Sequence, residues 1–293
     1  MKKQLTLFLM TRKGFRVLET LSKDFQHLID FVVIGSDESV QNDYYLELRG
    51  LCERLGVHCY DRMDAYDVTS QYSVAISWRW MINLKETRLI VFHDSLLPKY
   101  RGFNPLVSCL INGERRIGVT AVFASEDYDK GDIIAQASSE ISYPIKIEEA
   151  IEIVSENYAA LAGQIAAEIA ADRKLCGKRQ NERQASYSLW RGEEDYRIDW
   201  TRSAEEIQRS IDAAGFPYKG ASTLIDDKLA RIFQAEAVED VKIENRTPGK
   251  VIFIKNSQPI VVCGSGLLKI IVFIDDKTGE SLLPLRSFRT KLK

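Results

Sequence analysis

The sequence predicts an α/β fold, a Rossmann-like, mostly parallel sheet followed by a small β-rich, OB-like carboxy-terminal domain. Three observations predict it. Short apolar runs alternate with helical patterns through the first half, and strands joined by helical crossovers pair in parallel with both faces covered. An Ala/Ile/Glu pattern over residues 147–171 reads as one long amphipathic helix. Beyond it the texture changes to short β-type runs separated by turn residues such as Pro248-Gly249 and Gly264-Ser265-Gly266.

Taken in order, residues 5–10 form the first strand and 14–21 the helix after it. Residues 28–35 are a second strand, and 44–55 a helix. Residues 57–60, 73–77 and 89–92 are further short strands. Residues 172–184 are polar and basic and read as a linker. This places a first domain over residues 1–184 and a second over 185–293, with strands at 230–233, 250–254, 260–262 and 267–274 and one helix over 203–214. Ligands of open parallel sheets bind beyond the carboxyl ends of the strands, which directs attention to the segment after Phe92.

The 293 residues suffice for two domains. A hydrophobic fraction of 45% with 28% charged residues is ordinary for a soluble protein. The net charge of −2 supplies no general attraction for a nucleic acid. Residues 1–10 hold too short an apolar run before Arg12 and Lys13 for a signal-peptide core or a membrane span, so a cytoplasmic protein is expected. The five cysteines (Cys52, Cys59, Cys109, Cys176, Cys263) form no CxxC pair and are expected as reduced thiols. No ligand cluster for a metal is evident.

Of three histidines, His27 and His58 lie in contexts that read as surface or packing positions. His93 ends an apolar strand and opens the loop Asp94-Ser95-Leu96-Leu97-Pro98-Lys99-Tyr100-Arg101-Gly102. That is where α/β enzymes place catalytic groups, although such a histidine can equally satisfy loop backbone. A second element is Gly118-Val119-Thr120 followed by Asp129-Lys130-Gly131-Asp132-Ile133-Ile134. Its acids are either a solvated turn or a tight loop that returns Asp129 toward His93. A carboxylate beside an imidazole fixes its orientation and stabilises its protonated form.

These two blocks, with Asn112-Gly113-Glu114 between them, closely resemble the folate-dependent formyltransferases in order and spacing over about forty residues. Ile198-Asp199-Trp200 and Pro217-Tyr218-Lys219-Gly220-Ala221 resemble elements of that family's carboxy-terminal domain. The resemblance implies an Asn–His–Asp catalytic set whose last two members fall on His93 and Asp129. The asparagine position falls on Val91, which has no polar side chain. An oxyanion donor of that kind is worth roughly 3 to 4 kcal/mol, and Asn104 is the candidate substitute. The resemblance further implies 10-formyltetrahydrofolate as co-substrate. Its pterin would lie against Arg79, Trp80, Met81 and Ile82, with Ser125, Glu126, Asp127, Tyr128 and Asp129 as the other wall. Trp78 and Trp80 can also be plain core aromatics.

The acceptor is narrowed first by charge and then by the resemblance. Transfer RNA calls for a strongly basic surface, whereas the second domain is nearly balanced, with acidic clusters at 193–195, 226–227 and 275–276. The family's glycinamide-ribonucleotide enzymes usually lack such a second domain, and Ser77-Trp78-Arg79-Trp80 and Arg101-Gly102-Phe103-Asn104-Pro105 resemble the nucleotide-sugar subgroup. The resemblance thus implies as acceptor a nucleotide-linked amino sugar, dTDP-4-amino-4,6-dideoxyglucose or a 3-amino isomer, serving surface-polysaccharide (O-antigen) biosynthesis. Arg101, Tyr218 and Lys219 are the candidates for its nucleotide. No nucleic-acid or membrane partner is expected, and the resemblance implies a homodimer. A methionyl-tRNA formyltransferase, a formyltetrahydrofolate hydrolase and a non-catalytic folate or nucleotide-sugar binder remain as alternatives.

Overall fold

A computed structural model describes residues 4–37, 42–82, 84 and 87–293. The chain divides into two compact units. The first comprises the chain up to Leu106, Arg116–Glu140 and Ala150–Leu189; the second comprises Val107–Arg115, Ile141–Glu149 and Trp190–Lys293. The main change of unit thus falls five residues beyond the expected boundary at 184.

The first unit is built on seven strands: β1 (Leu5–Leu9), β2 (Ile29–Ile34), β3 (Cys59–Asp61), β4 (Tyr72–Ile76), β5 (Arg88–His93), and, after the two-residue β6 (Arg101–Gly102), β7 (Arg116–Phe123) and β8 (Ile133–Glu140). Their order in the sheet is β3-β2-β1-β4-β5-β7-β8. β1 to β5 run parallel, and β7 and β8 are antiparallel to their neighbours. Strand order reverses between β1 and β4, the kind of crevice where doubly wound sheets hold ligands. β1 and β4 are buried at every residue, so they read as mostly apolar runs, broken only by the buried Thr6 and Ser73, rather than as alternating ones.

Helix α1 (Thr11–Asp24) turns Gly14, Val17, Leu18 and Leu21 inward, the 3–4 spacing of one helical face. Helix α2 (Tyr45–Leu55) stops at Gly56, which takes the left-handed conformation that closes many helices. α3 (Pro105–Ile111) and α4 (Ile147–Ala170) follow. On the sheet face opposite to Phe92, Phe8 of β1, Val33 of β2, Ala75 of β4 and Val91 of β5 form one lateral row. Phe31, Tyr60, Tyr66, Trp78 and Ile82 pack around that row.

Residues 172–184 are not a free linker. Lys178 exchanges two 2.8 Å backbone hydrogen bonds with Ile133, Gln180 is 6% exposed, and β9 (Tyr187–Ser188) pairs in parallel with β6. Polar composition misleads here because the segment is held by backbone pairing and by one buried polar side chain, Gln180, although most of its other side chains face water.

In the second unit, β10 (Ala221–Ile225), β11 (Lys228–Val238), β12 (Val251–Lys255), β13 (Gln258–Val262) and β14 (Leu267–Asp275) form an antiparallel sheet in the order β10-β11-β14-β13-β12. The chain end joins its two edges. Val251 bonds to Thr290, and Leu224 and Lys293 exchange backbone bonds at 2.8 and 3.0 Å. Helix α5 (Ala204–Ala214) starts at Ser203, whose hydroxyl and the Glu206 carboxylate form a reciprocal capping box. Its Ile207 and Ile211 enter a core with Trp200, Ile232, Val261, Leu268 and Phe273.

Candidate active site

His93 is the last residue of β5, paired across to Thr120 of β7. Its ring is nearly buried. Nε2 lies 2.8 Å from the carbonyl oxygen of Tyr100. A carbonyl only accepts, so Nε2 is the nitrogen that carries a proton in this bond. Nδ1 faces the Oδ1 of Asp129 at 3.4 Å, within ion-pair range but too long for a tight hydrogen bond. The ring is therefore anchored through one nitrogen and leaves the other to exchange a proton.

Two glycines permit this approach. Asp129 stands at φ +55°, and its Oδ2 accepts the Gly102 N–H at 2.8 Å. Gly102 has φ +99°, and a Cβ there would lie 2.5 Å from the Ser188 carbonyl oxygen. Gly131 turns the Asp129 loop back so closely that a Cβ would lie 1.7 Å from the Phe123 carbonyl. Thr120 steadies the His93 loop from below. Its hydroxyl donates to Ser95 O and accepts from Leu97 N and from Gln136 Nε2.

Asp94 projects to the opposite side of the strand end. It accepts from Lys13 Nζ of α1 and from the Tyr158 hydroxyl of α4. Burial works to raise its carboxyl, but the Lys13 charge and the two donors outweigh it and hold it below the ordinary range. Burial, and then Asp94, push the Tyr158 phenol well up. A carboxylate, an ammonium and a phenol thus stand behind the imidazole. Only the adjacency of Asp94 to His93 was visible in the sequence; Lys13 and Tyr158 carried no signal of their own.

Arg101 corrects an expectation. It is not available to a nucleotide, because it is 0% exposed and all five of its N–H bonds have acceptors. Nε and one NH2 proton go to Gln180 Oε1, the other NH2 proton and one NH1 proton to Glu182, and the last to the Tyr187 hydroxyl. Asn104 is exposed at φ +47°, two residues beyond Gly102. Val91, at the position implied for an asparagine, is half-buried and packs against the cluster of Phe8, Phe31, Val33 and Ala75.

The expected cofactor wall divides into anchors and open surface. Arg79 pairs with Asp37, NH1 to Oδ1 at 2.8 Å. Trp80 meets Trp78 edge-on at 5.2 Å and carries the Arg62 guanidinium over its ring at 4.3 Å. Met81 is 87% exposed and Ile82 packs inward. The buried Nε1 of Trp78 has no hydrogen-bond partner among the described residues. On the other side, Ser125 donates to the Asp127 carbonyl, Lys130 pairs with Asp127, and Glu126 and Tyr128 are exposed. A cavity of about 380 Å³ lies beyond the ends of β2 and β3 between Asp43, Asp61 and Arg62. Tyr218 and Lys219 belong to the second unit.

Two family models match the chain, "Formyl transferase" over residues 66–166 and "Formyl transferase, C-terminal domain" over residues 192–280. The chain is 30% identical over 211 residues to a methionyl-tRNA formyltransferase of Citrifermentans bemidjiense, covering 71% of this chain. It spans less than two thirds of that relative, 63% of its length. An N-formyltransferase from Helicobacter canadensis, solved with folinic acid and dTDP-3-aminofucose, superposes with a TM-score of 0.68 at 16% identity over 92% of this chain and 99% of its own. A methionyl-tRNA formyltransferase from Clostridium thermocellum superposes at 0.56 with 17% identity, again over 92% and 99%. At such identities the two structures share the fold.

Proposed function

Because the chain belongs to the formyl transferase family, we propose that it transfers a formyl group from 10-formyltetrahydrofolate to the amine of a nucleotide-linked amino sugar. The observation that carries the reading is His93 Nδ1 facing Asp129 Oδ1 at 3.4 Å beyond the end of β5. When bound, the folate supplies the formyl carbon, and this chain supplies proton management and charge stabilisation around it. A neutral amine that attacks a formyl carbon gains positive charge while the formyl oxygen gains negative charge. Nδ1–H of a protonated His93 donates to that oxygen, and the Asp129 carboxylate accepts the proton the amine must lose. When the bond between the formyl carbon and the folate N10 breaks, that proton passes to the departing nitrogen and the amine keeps the formyl group. With Val91 in place of an amide, the remaining donors are backbone N–H groups and the Asn104 side chain. Arg79, held by Asp37, fixes the backbone of Trp80, Met81 and Ile82 for the pterin, and residues 125–129 close the opposite side.

The acceptor assignment is supported by the second unit. Many of its cations are already paired: Arg231 with Glu193 and Asp276, Arg246 with Asp240, Lys269 with Glu236, Lys293 with Asp227. Binding a transfer RNA calls for such cations to be free for phosphate. A dTDP-linked 4-amino-4,6-dideoxyhexose, or its 3-amino isomer, is the proposed acceptor, with Tyr218 and Lys219 as its candidate nucleotide contacts. Methionyl-tRNA is the second reading, favoured by the name of the relative at 30% identity. Incubation with 10-formyltetrahydrofolate and a panel of dTDP- and UDP-amino sugars, beside methionyl-tRNA, separates them. Mass-detected formylation of a sugar supports the proposal; formylation of methionyl-tRNA alone sinks it.

A further inference from the structure

Gln180 lies between the two loops that carry the dyad. Its Nε2 donates to the carbonyl oxygens of Asp129 (2.6 Å) and Gly131 (2.8 Å), while its Oε1 accepts from Arg101 Nε (3.1 Å) and NH2 (2.8 Å). The amide has only one workable orientation, since a guanidinium only donates and a carbonyl only accepts. All four bonds an amide can make are thereby made, inside the protein, which turns the side chain into a rigid connector.

Asp129 requires such a connector. At φ +55° a residue with a side chain is held only where its surroundings over-determine it. Its backbone oxygen is held by Gln180 and its carboxylate by the Gly102 N–H. Gly102 directly follows Arg101, which is bound to the same Gln180. One side chain therefore fixes both the donor loop and the acceptor loop of the Asp129–Gly102 bond. The segment that carries Gln180 is itself fixed by the Lys178–Ile133 backbone pair and by the pairing of β9 with β6.

We propose that Gln180 is a positioning residue for the reaction, holding the Asp129 carboxylate against Nδ1 of His93 by tying Asp129 and Arg101 to a single amide. The catalytic half of this statement rests on the formyl-transfer reading; the geometric half does not. Asp94, next to His93 in the chain, is bonded to Lys13 and Tyr158, and Gln180 bonds instead to Asp129, Gly131 and Arg101.

The test uses Gln180→Glu, which keeps an acceptor for Arg101 and removes both donors to the Asp129 loop. Gln180→Met, which buries no charge, carries the same expectation should the first variant not fold. The Gly102 amide is read by NMR in the full chain without ligand. Expected is a resonance that moves toward its position in Asp129→Ala, with exchange faster by about tenfold and changes confined to the two loops. Turnover is read in a double-mutant cycle. Gln180→Glu should lower kcat by about 30-fold in the wild-type background and by under about twofold beside Asp129→Asn, because it acts through Asp129. An unchanged Gly102 amide, or equal proportional losses in both backgrounds, overturns the proposal. Absence of turnover with every amine would count against the formyl-transfer reading alone, and the Gly102 amide would still decide the positioning.

Discussion

Asp94 in the first unit and Asp212 in the second are both withdrawn from water, and their titrations move in opposite directions. Asp94 has an ammonium and a phenol aimed at it, so despite burial its carboxyl stays below the usual range. Asp212 on α5 is raised to about 6 by burial, which the charge of Lys146 and a hydrogen bond from Gln208 only partly offset. Near His93 the Arg101 guanidinium and the Gln180 amide are bonded to completion inside the unit. In the second unit a carboxylate is buried with incomplete compensation. The difference locates where the fold holds charge to a defined geometry and where it merely tolerates it.

Four substitutions break or sharpen this contrast, in decreasing order of effect. Asp129→Asn keeps the shape and removes the carboxylate facing His93; kcat should fall about 1,000-fold with folate KM within about twofold, in steady-state kinetics. Arg101→Ala leaves Gln180 and Glu182 without their common partner and opens a buried space. Chemical denaturation should show the first unit weaker by about 4 kcal/mol. Asp94→Asn strands Lys13 beside a neutral amide and should cost about 3 kcal/mol at pH 7, with most of it restored in the Lys13→Met, Asp94→Asn double variant. Since the folded carboxyl of Asp94 is depressed, its contribution is present above the unfolded value near 3.9 and is lost only as pH falls through the lower folded value.

Asp212→Asn has the opposite sign. A raised folded value means the carboxyl disfavours the folded state increasingly as pH climbs from the unfolded value near 3.9 to about 6. The amide should therefore stabilise the second unit by about 2 kcal/mol above pH 6 and be neutral near pH 4. Thermal melts at the two pH values read this directly; equal melting shifts at both would contradict it.

How legible these regions were follows from the same physics. β1, β2 and β4 were visible because each is mostly apolar, interrupted only by Thr6, Asp30 and Ser73 respectively, and His93 stood out where such a run ends. β8 was invisible because it alternates half-buried with exposed residues at the sheet edge, Gln136 and Ser138 among them. The segment holding Gln180 was taken for a linker since its residues are polar, and nothing local distinguishes a polar residue facing water from one bonded inside. The same blindness made Arg101 look like a ligand contact. Arginine next to a glycine in a loop has the chemistry for phosphate, and only the acceptors brought from residues 180–187 reveal its structural use. The chirality of the Asp129 turn was half visible, in the glycine two residues on, whose neighbour Phe123 is remote from a local reading.

The central claim is that His93, oriented by Asp129, carries formyl transfer from a folate to a sugar amine. Its most direct test is product formation by wild type and His93→Asn with 10-formyltetrahydrofolate and the sugar nucleotide that the acceptor panel selects, followed by mass spectrometry. The account predicts a formylated amino sugar with wild type and a rate lower by about 1,000-fold with the variant, which should still bind the folate. Equal product from both proteins, or formyl release that is indifferent to the amine, would contradict it.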